Sequence, residues 1–422
     1  MVAALLSVFI IGYFLIALEH TVNINKAATA LITGVLCWTI YILSTSDKEI
    51  VSHQLTEHLA DLSGILFFLL GAMTVVELID AHDGFNIITD RIIQTDKRKL
   101  LWIISAITFF LSPLLDNLTT TIVMVSLIRK LIDAPHDRYI FAGMVVIAAN
   151  AGGAWSPIGD VTTTMLWIGG QITAANITRQ LFIPGLLSLV VPLLVLSVKM
   201  KGTVTRPAST DQHTDIILPR RQQYIVLCSG FAILVFVPIF KSLTHLPPYM
   251  AILIGLGVLW TITEVMHGRR PPQEKNKLSV SRALQKIDTP SILFFLGILL
   301  SISALQSTGI LAEAATWMSQ NIPSENAIAL SIGLLSSVVD NVPLVAAIQG
   351  MYSLQQYPTD HFFWEFLAYT TGTGGSVLII GSAAGVAAMG MEKISFTWYL
   401  RHISWLALIG FFAGALFYMF MA

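Results

Sequence analysis

Long apolar runs separated by short polar connections make up most of the chain. A helix needs about 20 apolar residues to cross a hydrocarbon core about 30 Å thick. The first run has no basic stretch before it and no small-residue cleavage site, so it is interpreted as a span rather than a signal peptide. Membrane-spanning helices are predicted at about 2–18, 27–44, 62–80, 139–170, 180–200, 222–240, 248–266, 290–307, 362–390 and 396–421.

Two further apolar regions, at about 100–131 and 326–352, are each interrupted in the middle by an Asp-Asn pair. Their halves are about 12 to 16 residues long, which is too short for either half to cross a bilayer alone. Backbone that turns back at membrane depth is tolerated where protein buries it. The pattern therefore predicts a re-entrant helical hairpin in each region.

Several sequence patterns occur twice, on either side of a polar connection at about 201–221. ILFFLLG at 65–71 matches ILFFLG at 292–297, S-x-x-x-D-N at 112–117 matches 336–341, and G-G-x4-I-G at 152–159 matches 374–381. The order is kept, and the offsets stay between 222 and 227 residues. The sequence therefore predicts two repeats, 1–205 and 206–422, each with five spans and one hairpin.

An odd number of spans in each half would turn the second half upside down relative to the first. Basic residues prefer cytoplasmic loops. With the N-terminus outside, the 24 lysine and arginine residues all fall on the cytoplasmic side except Lys48, Arg179 and Lys241. We therefore expect periplasmic N- and C-termini, and hairpins that enter from opposite faces with tips meeting near the midplane.

The composition agrees with an all-α integral membrane protein. Hydrophobic residues are 55% and charged residues 12% of the chain, and the mean hydropathy is +0.74. Soluble domains have about 45–50% apolar and about 25% charged residues. The net charge of -1, with no basic cluster interleaved with aromatics, gives no reason to expect a nucleic-acid partner. Cys37 and Cys228 lie in apolar runs without paired spacing and are expected to be core side chains.

Three aspartates, Asp116, Asp160 and Asp340, lie in apolar surroundings. A charged group at the bilayer centre costs about 2.5–3.5 kcal/mol on insertion scales and usually marks an ion or proton pathway. The alternative for Asp116 and Asp340 is that each caps the second helix of its hairpin. Because the whole S-x-x-x-D-N unit is duplicated, the sequence favours a functional role.

Glycine and proline interrupt two predicted spans. NAGGAWSPIGDVTTT at 150–164 contains the first interruption, and TGTGGSVLIIGS at 371–382 contains the second. Non-helical backbone at membrane depth lines protein or a cavity, so these segments predict broken helices at about 139–170 and 362–390. The alternative is that the glycines only let helices approach closely.

Oxygen donors are concentrated at the predicted hairpin tips and helix breaks. Hard cations prefer oxygen ligands, and the sequence has no Cys/His cluster of the kind that transition metals select. Threonines in membrane helices often bond their own backbone instead. We expect no cofactor, and we expect a site for transported Na⁺ or Li⁺ formed by Ser112, Asp116, Asn117, Ser156, Asp160, Thr162, Ser336, Asp340, Asn341, Thr373 and Ser376, with Glu77, Thr120, Thr163 and Ser382 as accessory candidates.

Exchange can follow from competition at a buried carboxyl group. Burial disfavours the charged form, so such a group can hold either a proton or a cation. Asp116 and Asp160 are expected to carry most of this competition, because Ser382 corresponds to Asp160 in the second repeat.

Other ionisable residues lie near the ends of spans. Glu77 is a weaker candidate, since a carboxylate near a span end can simply meet water. Glu19, His20 and His82 are interpreted as solvated, with His82 as a candidate pH sensor.

The segments SPLLDNLTTT, NAGGAWSPIGDVTTTMLWIGGQ and SSVVDNVPL together resemble the NhaD-type sodium/proton antiporters of the ion transporter superfamily. The resemblance extends from about residue 5 to 420. It implies exchange of Na⁺ or Li⁺ for H⁺ across a bacterial inner membrane, inverted repeats with two re-entrant hairpins, and a homodimer. It also implies cation sites at Ser112 with Asn117 and at Ser336 with Asn341, and roles for Asp116, Asn150, Asp160 and Thr162.

Two other classes are alternatives. An anion carrier of the same superfamily, either a sodium/dicarboxylate symporter or an arsenite-type permease, would have its substrate repelled by three buried carboxylates. Permeases of the pink-eyed dilution type share the Asp-Asn and Pro-Ile-Gly-Asp features and remain an alternative. An intramembrane aspartyl protease needs Gly-x-Gly-Asp, which Ser156-Pro157-Ile158-Gly159-Asp160 does not provide, so an enzyme is not expected.

Overall fold

In a computed structural model, the structure describes residues 1–17, 24–89, 91–207, 218–268, 270–322 and 324–421. Within these ranges the regular elements are helices, and one isolated antiparallel bridge joins Asp96 to Thr203. The helices are α1 Val2–Ala17, α2 Lys26–Ser44, α3 Lys48–Ala81, α4 Asn86–Thr89, α5 Lys97–Leu115, α6 Asn117–Leu131, α7 Pro135–Gly153, α8 Val161–Ile168, α9 Ala174–Lys199, α10 Arg220–Thr244, α11 Pro248–His267, α12 Pro272–Lys277, α13 Val280–Lys286, α14 Thr289–Ser307, α15 Ile310–Asn321, α16 Glu325–Leu335, α17 Asn341–Met351, α18 Phe362–Gly374, α19 Ala383–Glu392, α20 Phe396–His402 and α21 Ser404–Met421.

Eight helices in the described ranges are long and apolar enough to cross a membrane. They are α2, α3, α5, α9, α10, α11, α14 and α21. These helices and the absence of strands from the described residues confirm the prediction of an all-helical integral membrane protein.

Several helix boundaries differ from the sequence prediction, and two helices begin early because an aspartate caps them. α3 has 34 residues and begins at Lys48, after its cap Asp47, rather than near residue 62. α5 begins at Lys97, after its cap Asp96, and has 19 residues. Since α5 is long enough to cross a membrane alone, the prediction that both arms of the first hairpin are too short to span is wrong for this arm.

The two cysteines differ in their surroundings. Cys37 is buried, whereas Cys228 is exposed on α10. The prediction that both are core residues is therefore wrong for Cys228, because α10 turns that side of the helix away from the rest of the chain.

The backbone leaves the helical path between α7 and α8 and again between α18 and α19. Within each break, backbone segments approach closely at glycines. A Cβ atom on Gly159 would lie 2.7 Å from Cα of Gly153, and a Cβ atom on Gly375 would lie 2.9 Å from Cβ of Ser382. Larger residues would force these segments apart, so close packing explains the glycines at both breaks.

Helix packing occurs in corresponding pairs in the two halves of the chain. α5 packs against α7 as α16 packs against α18, and α1 packs against α2 as α10 packs against α11. α19 packs against α6, and α8 against α17. Each helix that follows a break therefore contacts the second helix of the opposite half's Asp-Asn region.

Candidate cation site

Asp160 lies between the asparagines of the two Asp-Asn pairs. Its Oδ2 atom accepts a hydrogen bond from Nδ2 of Asn117 and another from Nδ2 of Asn341, each over 3.1 Å. Asp160 is 2% exposed and both asparagines are 4% exposed. Oδ2 of Asp160 thus connects the first helix break to both Asp-Asn regions.

The other oxygen of Asp160 is directed by the helix that follows. Asp160 is the N-cap of α8, and its Oδ1 atom accepts from the backbone N–H of Thr162 over 3.3 Å. The hydroxyl of Thr163 lies 3.3 Å from the backbone nitrogen of Asp160 and completes a capping box. Such caps satisfy otherwise orphan helix donors, so the start of α8 fixes the carboxylate's orientation.

Asn150 extends this network to the second break. Its Oδ1 atom accepts from Nδ2 of Asn117 over 2.9 Å. Its own Nδ2 atom donates to the hydroxyls of Ser376 and Ser382, both over 2.9 Å. All four side chains are buried, so movement at either break would disturb hydrogen bonds that reach Asp160.

The motif serines attach the Asp-Asn regions to the broken helices. Ser112 donates to the carbonyl of Ala149 over 2.6 Å, and Ser336 donates to the carbonyl of Thr371 over 2.8 Å. Ser156 donates to the Pro113 carbonyl over 2.9 Å. A hydroxyl that donates keeps lone pairs for accepting, so these oxygens can still face a cation.

Asp116 forms the junction between α5 and α6. Its backbone has φ 68°, in the left-handed region where a side chain is strained. Its carboxylate accepts from the backbone N–H of Thr119 over 2.8 Å and from the Thr119 hydroxyl over 2.9 Å. The helix-capping alternative is therefore correct as far as geometry goes, and the strained junction positions the carboxylate at the site.

Asp116 and Asp160 line the same small cavity of about 20 Å³, together with Met73, Val76 and Thr164. A cavity of this volume can hold one water molecule when polar groups line it. Asp116 and Asp160 thus border one space about the size of a single water molecule.

A larger cavity of about 560 Å³ lies beside the small one and shares Met73 and Val76 with it. Its lining also includes Thr119, which holds Asp116, and the charged residues Lys130 and Lys286. The larger cavity therefore reaches Thr119, the residue that hydrogen-bonds to the Asp116 carboxylate.

The accessory candidates Glu77 and Thr120 and the predicted site residues Thr162 and Thr373 have different surroundings. Glu77 lines the larger cavity, and its Oε1 atom lies 3.1 Å from Nζ of Lys286. The buried hydroxyls of Thr120 and Thr162 have no hydrogen-bond partner within the described ranges. Thr373 donates to the carbonyl of Tyr369 over 2.6 Å, so this threonine bonds its own helix.

His82 is not solvated, contrary to the sequence prediction. The side chain is fully buried, and its Nε2 atom lies 2.9 Å from Nε2 of His267. The rings stack with centroids 5.1 Å apart. The prediction is wrong because the end of α3 packs beside the end of α11; Glu19 and His20 lie outside the described residues.

The sequence interpretation missed the partner of Asp340. Oδ2 of Asp340 lies 3.1 Å from Nζ of Lys26, the first residue of α2. Asp340 makes no hydrogen bond to Asp160; its neighbour Asn341 does. In the sequence, Lys26 is only one of the basic residues counted on the cytoplasmic side. The one feature of the sequence that could have indicated its pairing with Asp340 is that a basic residue stands at the start of a predicted span.

Comparison with known proteins gives consistent similarities along the chain. A family model described as citrate transporter matches residues 13–374. Sodium/proton antiporter 1 of Arabidopsis thaliana is 50% identical over 97% of this chain and 71% of its own length. Sodium/proton antiporter 2 of the same plant is 48% identical over 97% of both chains. The Na⁺/H⁺ antiporter NhaD of Vibrio cholerae is 30% identical over 96% of this chain and 88% of its own length.

Proposed function

The chain belongs to the citrate transporter family and has sodium/proton antiporters among its relatives, and on this basis we propose that it exchanges Na⁺ or Li⁺ for H⁺. It is a transporter rather than an enzyme. The observation that carries the proposal is the buried Asp160 carboxylate, which accepts from Asn117 and Asn341 and shares a small cavity with Asp116.

The proposed mechanism is competition between a cation and a proton. A Na⁺ or Li⁺ ion in the small cavity would be attracted by the carboxylates of Asp116 and Asp160. Protonation of either carboxyl group removes a negative charge and weakens that attraction, because Coulomb interactions are strong where water is scarce. Binding of the cation in turn disfavours the proton, and this coupling makes exchange possible.

Neutral oxygen atoms complete the proposed site. Ser112, Ser156 and Ser336 hold their hydroxyls against backbone carbonyls and keep lone pairs available. Thr120 and Thr162 contribute buried hydroxyls. Hard monovalent cations favour such ligands, so we assign these residues to the site with Asn117, Asn150, Asn341 and Ser376.

We further propose that residues 1–205 and 206–422 form inverted repeats with re-entrant hairpins. The corresponding helix pairs in the two halves support this assignment. So do the hydrogen bonds Ser112 to Ala149 and Ser336 to Thr371, which recur at offsets of 224 and 222 residues. Opposed repeats that meet around one site are a known route to alternating access.

The larger cavity supports an assignment of the side from which the site is reached. Its lining includes Lys130 and Lys286, and basic residues favour the cytoplasmic side. We therefore propose that this conformation faces the cytoplasm. The bacterial inner membrane, periplasmic termini and homodimer remain predictions.

The proposal is tested in everted membrane vesicles with an acidified lumen and a pH-reporting dye. Addition of Na⁺ or Li⁺ should dissipate the pH gradient in vesicles that contain the protein and not in vesicles with Asp160→Asn. Asp137→Asn is the matched control, because Asp137 pairs with Lys97 outside the site; this variant should keep its activity.

A citrate or other carboxylate carrier is the second candidate, because the matching family model is described as a citrate transporter. Two lysines of the larger cavity already face carboxylates, Lys26 at Asp340 and Lys286 at Glu77, and this favours the cation exchanger. Uptake of radiolabelled citrate, dicarboxylate or arsenite without cation-driven proton movement would overturn the proposed function.

A further inference from the structure

Lys26 and Pro248 occupy corresponding positions in the two halves but differ in charge. Each is the first residue of its helix, α2 in the first half and α11 in the second. The Nζ atom of Lys26 lies 3.1 Å from Oδ2 of Asp340 and 4.4 Å from the centroid of the Phe294 ring. Pro248 offers no charge to Asp116, the counterpart of Asp340.

The carboxylates of the two corresponding aspartates both act as helix caps. Asp116 accepts from the backbone N–H of Thr119 over 2.8 Å, and Asp340 accepts from that of Val342 over 3.3 Å. Each therefore caps the helix that follows it. Within the described ranges Asp116 forms no ion pair, and it lines the small cavity with Asp160. The two positions therefore differ in backbone conformation, with φ 68° at Asp116 and φ -50° at Asp340, and in charge, since an ammonium group faces Asp340.

The broken helices add a second difference in charge. Asp160 caps α8 after the first break, whereas Ser382 caps α19 after the second. The first half-site thus has two carboxyl groups, Asp116 and Asp160. The second half-site has one carboxylate, Asp340, whose charge is balanced by the ammonium group of Lys26.

We propose that Lys26 is a built-in counter-cation that occupies the second half-site, so that one transported cation binds per protomer, at Asp116 and Asp160. This inference rests on the proposed cation exchange. In it, Lys26 determines how many cations the site accepts, and Asp340 is a latent cation site that the lysine keeps filled.

A tethered ammonium group has an advantage over a free ion at Asp340. A free Na⁺ ion loses translational freedom when it binds, whereas Lys26 gives up only side-chain rotamer freedom. The Phe294 ring adds a cation–π contact. The side chains of Lys26 and Asp340 are 25% and 17% exposed, and partly exposed ion pairs contribute little to stability, so a purely structural role explains the pair poorly.

The experiment measures equilibrium binding of ²²Na⁺ to the purified full-length protein at one fixed alkaline pH. We expect one Na⁺ per protomer in the wild type and two in Lys26→Gln, because the substitution leaves the Asp340 carboxylate available. The double variant Lys26→Gln/Asp340→Asn should return to one. Lys130→Gln is the matched control for loss of a positive charge from the larger cavity and should also bind one.

A second pair of variants tests the inference by affinity and does not depend on the folding of Lys26→Gln. In Asp340→Asn the positive charge of Lys26 is no longer balanced by the Asp340 carboxylate. Repulsion between the Lys26 ammonium group and Na⁺ should then weaken Na⁺ binding about tenfold. The double variant should recover most of that loss. If the double variant binds as weakly as Asp340→Asn, Lys26 does not act through Asp340 and the inference is overturned.

The outcomes separate this inference from the proposed function. A wild type that binds no Na⁺ overturns the proposed function and the inference with it. A wild type that binds one Na⁺, with Lys26→Gln also at one, overturns the inference alone. A wild type that already binds two Na⁺ ions also overturns the inference, since a cation would then bind at Asp340 while Lys26 is present.

Discussion

The side-chain amide of Asn341 donates to Oδ2 of Asp160 over 3.1 Å, although 181 residues separate them in the chain. Asn117 donates to the same oxygen from the other half. A displacement of either Asp-Asn region would therefore remove a donor from this carboxylate. In the proposed exchange cycle, such a change would alter how strongly Asp160 holds a cation or a proton.

Removal of one asparagine amide should weaken cation exchange without abolishing it. In Asn341→Ala, Asp160 loses one of two hydrogen bonds from asparagine amides, and a hydrogen bond to a charged group contributes about 1.5–3 kcal/mol. We expect the half-saturating Na⁺ concentration in the vesicle assay to rise about tenfold or more, since about 1.4 kcal/mol corresponds to a factor of ten. Asn321→Ala, at an exposed residue that bonds its own helix, should leave it unchanged.

Much of the site could be predicted from the sequence because its polar motifs occur in both halves of the chain. The duplicated Asp-Asn pairs and the glycine-rich breaks identified Asn117, Asn341 and Asp160, and the structure brings these three side chains together. The spacing of residues along the sequence cannot show which distant ionisable side chains come into contact in the fold. The pairing of Lys26 with Asp340 and the burial of His82 against His267 depend on how helices from different halves pack.

Substitution of Gly159 should destabilise the first break. A Cβ atom there would lie 2.7 Å from both Cα and the carbonyl oxygen of Gly153, and overpacking of this kind costs about 1–3 kcal/mol. We expect Gly159→Ala to lower the apparent Tm of the purified protein in detergent. Gly257→Ala is the control, because Gly257 lies in α11 and a Cβ atom added there would have nothing within 4 Å. A fall in Tm of the same size in both variants would contradict the packing argument.

Glu392 joins three helices through two arginines, and its neutralisation should loosen them. Its side chain is 1% exposed, with Oε1 2.7 Å from Nε of Arg129 and Oε2 2.9 Å from Nε of Arg138. Loss of a charged partner from such a pair costs about 2–3 kcal/mol when the arginines are partly exposed. Glu392→Gln should therefore lower the apparent Tm by several degrees.

The matched control for this substitution is Glu274→Gln. Glu274 pairs with Arg270, four residues earlier in the chain, over 3.0 Å, and its side chain is 41% exposed. Exposed pairs of this kind contribute about 0.3–0.5 kcal/mol, so little change in Tm is expected. Equal shifts in the two variants would mean that the buried carboxylate does not hold α6, α7 and α19 together.

The buried His82 should make the protein less stable in acid. Burial lowers the pKa of His82 below its ordinary value; a hydrogen bond from the ring to the Leu78 carbonyl opposes this, and the charge of Arg270 adds to the lowering. An unfolded histidine has a pKa of about 6.5. The folded protein therefore binds the proton less readily than the unfolded chain, so the stabilisation is fully present above about pH 6.5 and is lost as the pH falls toward the lowered value.

We expect the apparent Tm of the wild type to fall between pH 7 and pH 5, and this fall to be shallower in His82→Gln, which cannot titrate at that position. His53→Gln is the control, because the His53 side chain is 74% exposed; its Tm should follow the wild-type pH dependence. If His82→Gln and the wild type lose stability in parallel over this range, the burial of His82 does not couple proton binding to folding.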